Sequence, residues 1–221
     1  GGKISLSSSF LKEKALYLDY MMRQPAIAFE ALPSEMPIFP LAGVLLLPRG
    51  QLPLNVFEPR YLSMVDDAMR SHRLIGMIQP KDNGELYTVG CAGRIFSYHE
   101  TMDGRTEIVL SGVCRFKIKN ELSQKDGYRR ITPDWADYQK DMEPMGCLDL
   151  DRPAFSKQLK TYFEQQGLSC SWNAVQEASD EKLITCLAMI CPFEASAKQA
   201  LLETPCCKER AKLFGYFLLK W

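Results

Sequence analysis

The chain has 221 residues, 46% of them hydrophobic, with 27 basic and 27 acidic side chains. That is enough to bury a full core without disulfides or metal. A net charge of zero argues against bulk attraction to nucleic acid or anionic membrane. No run of about 18 apolar residues exists, so no transmembrane helix is expected. The opening stretch, Gly1 to Ser9, lacks a basic region leading into an apolar core and makes a poor signal peptide. Of the eight cysteines, Cys91, Cys114 and Cys186 sit inside apolar patterns, which points to buried thiols in a cytoplasmic protein rather than a disulfide set.

Residues 1–34 read as an N-terminal arm. Phe10, Leu11, Lys14, Ala15, Leu18 and Met22 fall partly at helical spacing, so a short helix is expected over 10–23. Pro25 and Pro33 then favour extended chain.

From 35 to 140 the pattern is that of an all-β unit, with short apolar runs between turn residues. The runs are Ile38–Leu41, Val44–Leu47, Leu52–Phe57, Leu74–Ile78, Tyr87–Tyr98, Glu107–Ile118 and Arg129–Tyr138. Asn83-Gly84 and Asp103-Gly104 predict tight turns, because two-residue hairpin loops need positive φ. Arg115, Lys117 and Lys119 alternate with Phe116 and Ile118, giving a strand with one wet and one dry face. One helix interrupts the strands. Pro59 suits its first turn, and Tyr61, Val65, Ala68, Met69 and His72 follow at helical spacing. It is expected to cap one end of the β unit.

Residues 141–150 read as a linker. Residues 151–221 are helical in pattern: Asp151 caps a helix with Pro153 in its first turn and Gly167 at its end. Ser179 caps another, which Pro192 ends. Ala195–Thr204 and Cys206–Leu219 form two more on either side of Pro205.

Four ordered segments of the β region carry a family resemblance: Met36–Gly50 (MPIFPLAGVLLLPRG), Leu52–Val65 (LPLNVFEPRYLSMV), Val89–Ile95 (VGCAGRI) and Ile108–Ile118 (IVLSGVCRFKI). They resemble the N-terminal domain of ATP-dependent Lon proteases. Leu183–Leu202, with Pro192, Lys198-Gln199 and Leu201-Leu202, resembles the helical segment that follows. The resemblance implies an α+β fold, a PUA-like β-barrel followed by a C-terminal helical bundle, acting as a module that recognises protein substrates. Cereblon-like ubiquitin-ligase components show that such a module works without its own ATPase. The prolines at 37, 40, 48, 53 and 59 and the glycines at 43, 50 and 112 read as requirements of this fold.

The chemistry of a complete Lon protease is missing from the string. There is no G-x-x-x-x-G-K-[ST] phosphate loop. Pro80–Gly84 faintly resembles a peptidase segment, but no serine nucleophile follows it, and a hairpin turn is the better reading. Only His72 and His99 are present, and no C-x-x-C pair accompanies Cys186, Cys191 or the adjacent Cys206 and Cys207. No metal, no cofactor and no catalytic residue is therefore expected. His72 reads as a polar contact at a helix end and His99 as an exposed hairpin residue.

Two candidate surfaces remain. The first is apolar: Leu52, Leu54 and Phe57 exceed what one buried strand face needs, and they lie beside the turn at Pro48, Arg49 and Gly50. Unfolded or extended polypeptide, or a partner protein, is the expected ligand there. The second is basic: Arg115, Lys117, Lys119, Arg129 and Arg130, a phosphate-contacting face if the PUA-like barrel binds RNA, with small-ligand binding by the barrel as part of the same alternative. Phe116 alternates onto the dry face, so no aromatic stacking group shares the wet face of Arg115, Lys117 and Lys119, which favours a plain solvated strand. Oligomeric state is not legible.

Overall fold

The computed structural model describes residues 26–143 and 148–220, so the helix expected at 10–23 lies outside the described residues. Six strands and one helix come first: β1 (Met36–Pro40), β2 (Gln51–Val56), α1 (Pro59–Met69), β3 (Leu74–Ile78), β4 (Val89–Glu100), β5 (Thr106–Lys125) and β6 (Tyr128–Asp134). Their order is β2-β5-β4-β3-β1-β6, and β6 pairs back onto β5. Five strands thus close a ring, with β2 flanking it on β5. The sheet is mixed, because β1 and β3 run parallel while every other pair is antiparallel.

β5 makes the closure possible. Its 20 residues pair with β4 through Thr106–Lys117 and with β6 through Lys117–Lys125. Register shifts at Ala92/Gly93, Ile95/Ser97 and Ile118/Asn120 mark bulges, which bend strands and turn the sheet on itself. The sequence signal for β5 stopped at Ile118 because residues 119–125 are polar; there the ladder alone carries the strand. The turn that follows uses Asp126 and Gly127, both at positive φ, the same chemistry as at Gly84 and Gly104.

The inside of the ring is a small core of Met36, Ile38, Leu74, Ile78, Ala92, Phe116 and Ile131. Phe116 fits because two glycines face it. A Cβ at Gly76 would stand 2.9 Å from Phe116 Cζ, and one at Gly90 would stand 2.6 Å from it. Glycine within a strand here marks close approach of a neighbouring ring.

The outward residues of the same strands, among them Phe39, Ile75, Met77, Cys91, Ile95 and Leu110, belong to a second and larger core. α1 joins it through Tyr61, Met64, Val65 and Ala68. Tyr61 stacks on Phe39 with centroids 4.2 Å apart, and Tyr128 Oη donates to Asp67 at 2.7 Å. The helix therefore lies on the outward side of the strands and does not close an end of the ring. It also stops at Met69, short of His72, whose Nδ1 accepts from Leu74 N–H at 3.1 Å.

The run Val44–Leu47, expected as a strand, is irregular although Leu45, Leu46 and Leu47 are buried. Its backbone is pinned elsewhere. Arg49 N–H donates to Gly112 O and Gly112 N–H to Gly50 O, both at 2.8 Å. A Cβ at Gly112 would meet Leu47 O at 1.9 Å. The apolar side chains serve the core while the chain passes flat against β5.

Among the described residues no strand follows Asp134. A 3-10 segment, Ala136–Met142, leads to the helices α2 (Arg152–Gln166), α3 (Trp172–Glu177), α4 (Asp180–Ile190), α5 (Ala195–Glu203) and α6 (Cys207–Lys220). Asp151, Ser171 and Ser179 cap three of them by accepting a backbone N–H three residues on, and Gly167 ends α2 at φ +64°. Lys198 Nζ donates to Met189 O at 2.8 Å, placing a cation at the C-terminus of α4. Leu159, Ile184, Leu187, Leu201 and Phe214 enter the same large core as the ring. Strands and helices are thus held by one shared interior.

Candidate functional site

β2 is the open flank of the sheet, and its register decides which groups face outward. Gly112 N–H bonds Gly50 O, and the pairs Leu52↔Leu110, Leu54↔Ile108 and Val56↔Thr106 continue in step. Even-numbered residues therefore exchange backbone bonds with β5, while Pro53 and Asn55 turn their backbone groups away. Proline at that position forfeits no ladder bond, which is where edge strands carry it.

Side chains alternate in the same way. Leu52 and Leu54 lean to the core side and are half-buried, packed against the large core. Pro53 and Asn55 are exposed on the other face, and Phe57 follows in their step at 64% exposure. The apolar strip read from the sequence is therefore split between two faces. Of its neighbours, Arg49 is exposed at φ +66°, with its guanidinium on Glu143 O. Pro48 is buried and offers no contact surface, a correction to its place among the binding residues.

The basic run is corrected more sharply. Arg115 does not lie on a wet face: it is 5% exposed, under the ends of α5 and α6. Its Nε and Nη2 bond the Asp141 carboxylate at 2.9 and 2.8 Å, and Nη1 donates to Leu202 O and Thr204 O. Burial alone would lower the Arg115 pKa, but the bonds and charge of Asp141 outweigh it and raise it. Sequence alternation identified the face correctly and could not know that helices cover it.

The remaining cations are in exposed pairs: Lys117 with Asp137 at 2.5 Å, Arg129 with Glu121 at 2.6 Å and Arg130 with Glu35 at 2.6 Å. Lys119 is exposed. The surface is close to neutral over its length.

Gln79, which sequence reasoning passed over, also ties ring to helices, together with Gln199 of the segment noted for its family resemblance. Gln79 donates to Ala195 O and Gln199 Oε1 and accepts from Gly43 N–H, and Gln199 donates to Val89 O. Both are buried. A polar side chain after the apolar run Leu74–Ile78 was the available signal.

Residues 35–220 match the family of the ATP-dependent protease La (LON) substrate-binding domain. The chain belongs to that family. The LON region aligns with the Lon protease of Parabacteroides distasonis at 32% identity over 106 residues, 45% of this chain and 13% of that protein. With Lon protease 2 of Myxococcus xanthus it is 25% identical over 193 residues, 83% of this chain and 23% of that one. The chain thus spans less than a quarter of the length of these relatives, and no catalytic domain is matched. Among solved structures, the Lon N-terminal domain protein of Xanthomonas campestris superposes with a TM-score of 0.59 at 24% identity, covering 86% of this chain and 99% of that one. The N-terminal domain of a Mycobacterium avium complex Lon protease gives the same score at 17% identity, covering 85% and 97%.

Within the LON fold the buried thiols are inert in character. Burial pushes Cys114 and Cys191 up to about 12 and raises Cys91 well above its ordinary value, so none of these three is a ready thiolate at neutral pH. Cys186 is half-buried and Cys206 exposed. His99 is exposed at the far end of β4. Among the described residues no group of three His, Cys, Asp or Glu side chains could hold a metal ion, and no helix is long and apolar enough to cross a membrane.

Proposed function

We propose that this LON domain is a non-catalytic polypeptide-binding module, working as an adaptor or sensor in the cytoplasm. In this reading residues 35–140 form a PUA-like barrel and residues 151–221 a C-terminal helical bundle, joined by 141–150. The supporting observation is the open β2 flank: outward backbone groups at Pro53 and Asn55 beside the exposed ring of Phe57, in a family defined by substrate binding. An extended segment gains strand-type bonds from the edge, and an apolar side chain gains from covering Phe57 and the rims of Leu52 and Leu54. Sequestering one such side chain is worth about 1–2 kcal/mol, so a single site reaches micromolar affinity at most.

The test replaces Phe57 and Leu54 separately with Ser and measures binding of fluorescent unfolded casein alongside thermal melting. Phe57→Ser weakens binding roughly tenfold, the equivalent of about 1.4 kcal/mol, without shifting the melt. Leu54→Ser lowers both, because its side chain is half in the core. Unchanged binding in a folded Phe57→Ser protein sinks the assignment of this site.

A further inference from the structure

The register of β2 fixes what its free edge offers, residue by residue. With the even-numbered residues bonded to β5, the outward groups include the carbonyl of Pro53 and both the N–H and the carbonyl of Asn55. An antiparallel segment laid along this edge exchanges two bonds opposite Asn55. Opposite Pro53 it donates one, because the ring has no N–H to return. Paired residues turn their side chains to the same face. The guest residues that bond the edge therefore point the way of Pro53, Asn55 and Phe57, and their neighbours point the way of Leu52 and Leu54.

The two faces differ in chemistry. On the core side the guest meets half-buried leucines, which favour apolar side chains. On the other side Asn55 stands directly opposite Glu107, and Glu107 opposite His99. The arginines of this end are already taken: Arg60 is on Glu58 at 3.1 Å and Arg105 on Asp103 at 2.8 Å. Glu107 is exposed, and no ion pair among the described residues includes it. A guest residue opposite Asn55 has its backbone two strand spacings, about 10 Å, from that of Glu107. An extended lysine or arginine and the glutamate together span that gap. The exposed ring of Phe57, two residues along on the same side, is a second attraction for a cation. Past Gln51 the exposed charge is Arg49, so the welcome for positive charge is confined to the Asn55 end.

We propose that the segment recognised at β2 is an antiparallel strand in which apolar side chains alternate with a lysine or arginine, the basic residue lying opposite Asn55 and paired with Glu107. The proposal rests on the polypeptide-binding reading and names the class of segment that reading left open. The basic residue is also the one whose backbone bonds Asn55, so charge recognition and strand addition fall on the same guest position. An exposed ion pair and an exposed cation–π contact are each worth a few-fold in affinity, and together about tenfold.

The experiment uses the full chain and fluorescent peptides Ser-Leu-Xaa-Val-Xaa-Leu-Ser, in which Xaa is Lys, Ser or Glu. Two further probes carry the Lys pattern with backbone N-methyl groups, either on the lysines or on the leucines and valine. Binding is read by anisotropy at low and high salt, with a thermal melt of each protein as folding control. The Lys peptide binds about tenfold tighter than the Ser peptide, the Glu peptide binds weakest, and the spread narrows at high salt. Glu107→Gln removes several-fold of the Lys advantage and changes neither the Ser-peptide affinity nor the melt. Glu107→Lys puts the Glu peptide ahead of the Lys peptide. Methylation on the lysines abolishes binding, and methylation on the apolar residues spares most of it. Equal affinity for the Lys and Ser peptides, or a Lys advantage untouched by Glu107→Gln, overturns the proposal and leaves the polypeptide site standing. Equal loss from the two methylation patterns overturns the strand register it depends on. No binding of any peptide at millimolar concentration refutes the polypeptide-binding reading itself, and this proposal with it.

Discussion

Replacing Arg115 with Met tests how the helices are fastened to the ring. The guanidinium and the Asp141 carboxylate are 6% and 8% exposed and 2.8 Å apart. Two of its other bonds hold the carbonyls of Leu202 and Thr204 at the end of α5. Methionine keeps most of the volume but strands a buried carboxylate, which costs about 3–5 kcal/mol. For a chain of this size that lowers the melting temperature by about 6–20 °C. Pairing Arg115→Met with Asp141→Leu removes the stranded charge, since a buried ion pair exchanged for apolar side chains is often close to neutral. The two carbonyls remain without their donor, at about 1 kcal/mol each, so the double variant recovers at least part of the loss. Urea denaturation of the wild type, both single variants and the double variant gives the coupling directly. A single Arg115→Met cost below about 1 kcal/mol, or singles that simply add, would refute the assignment of this pair as the fastening.

Gly112→Ala destabilises the fold by about 3 kcal/mol or more, because its Cβ would stand 1.9 Å from a backbone oxygen that has nowhere to go; a melt within error of the wild type counts against the close approach. His72 has its pKa lowered from 6.5 by burial, so the unfolded chain binds its proton first as pH falls. Its contribution is intact above pH 6.5 and is lost as the pH drops through the lower folded value. His72→Asn flattens that part of the stability profile, and urea midpoints from pH 7.5 to 5 show whether it does. Rigorously purified protein shows no ATP-dependent turnover of casein, and turnover abolished by a substitution in this chain would expose a site that the reading missed.

The sequence made the strands legible where burial demanded alternation, and less so elsewhere. β3 was read with its bounds intact, since all five of its residues are buried and turn chemistry brackets it. The second half of β5 was invisible because its side chains face water and only backbone pairing keeps it extended. Val44–Leu47 misled for the converse reason: burial without a ladder looks like a strand in one dimension. At the site, local pattern gave the correct face for Arg115, but long-range cover by α5 and α6 decided its environment. Leu52 and Phe57 looked like one strip because they were grouped by apolar composition, although a period of two sets residues five apart on opposite faces.

The charged and apolar surfaces can then be weighed against each other. Phosphate recognition needs cations whose charge is free to be neutralised by the ligand. Here Arg115 is committed to Asp141 in the interior, and Lys117, Arg129 and Arg130 each stand beside a carboxylate. A polyanion would have to displace those acids and would gain little net charge release for doing so. Exposed pairs of this kind contribute only about 0–1 kcal/mol to stability, so they are not required to hold the strands together. They do remove a single-sign field from an edge that could otherwise attract nucleic acid. The β2 flank carries the opposite balance: Pro53 and Phe57 are exposed there while the neighbouring leucines are held half-open by the core behind them. On the proposed polypeptide-binding reading, a ligand without fixed sequence, presenting backbone and an apolar side chain, is better matched by that flank than by the basic one.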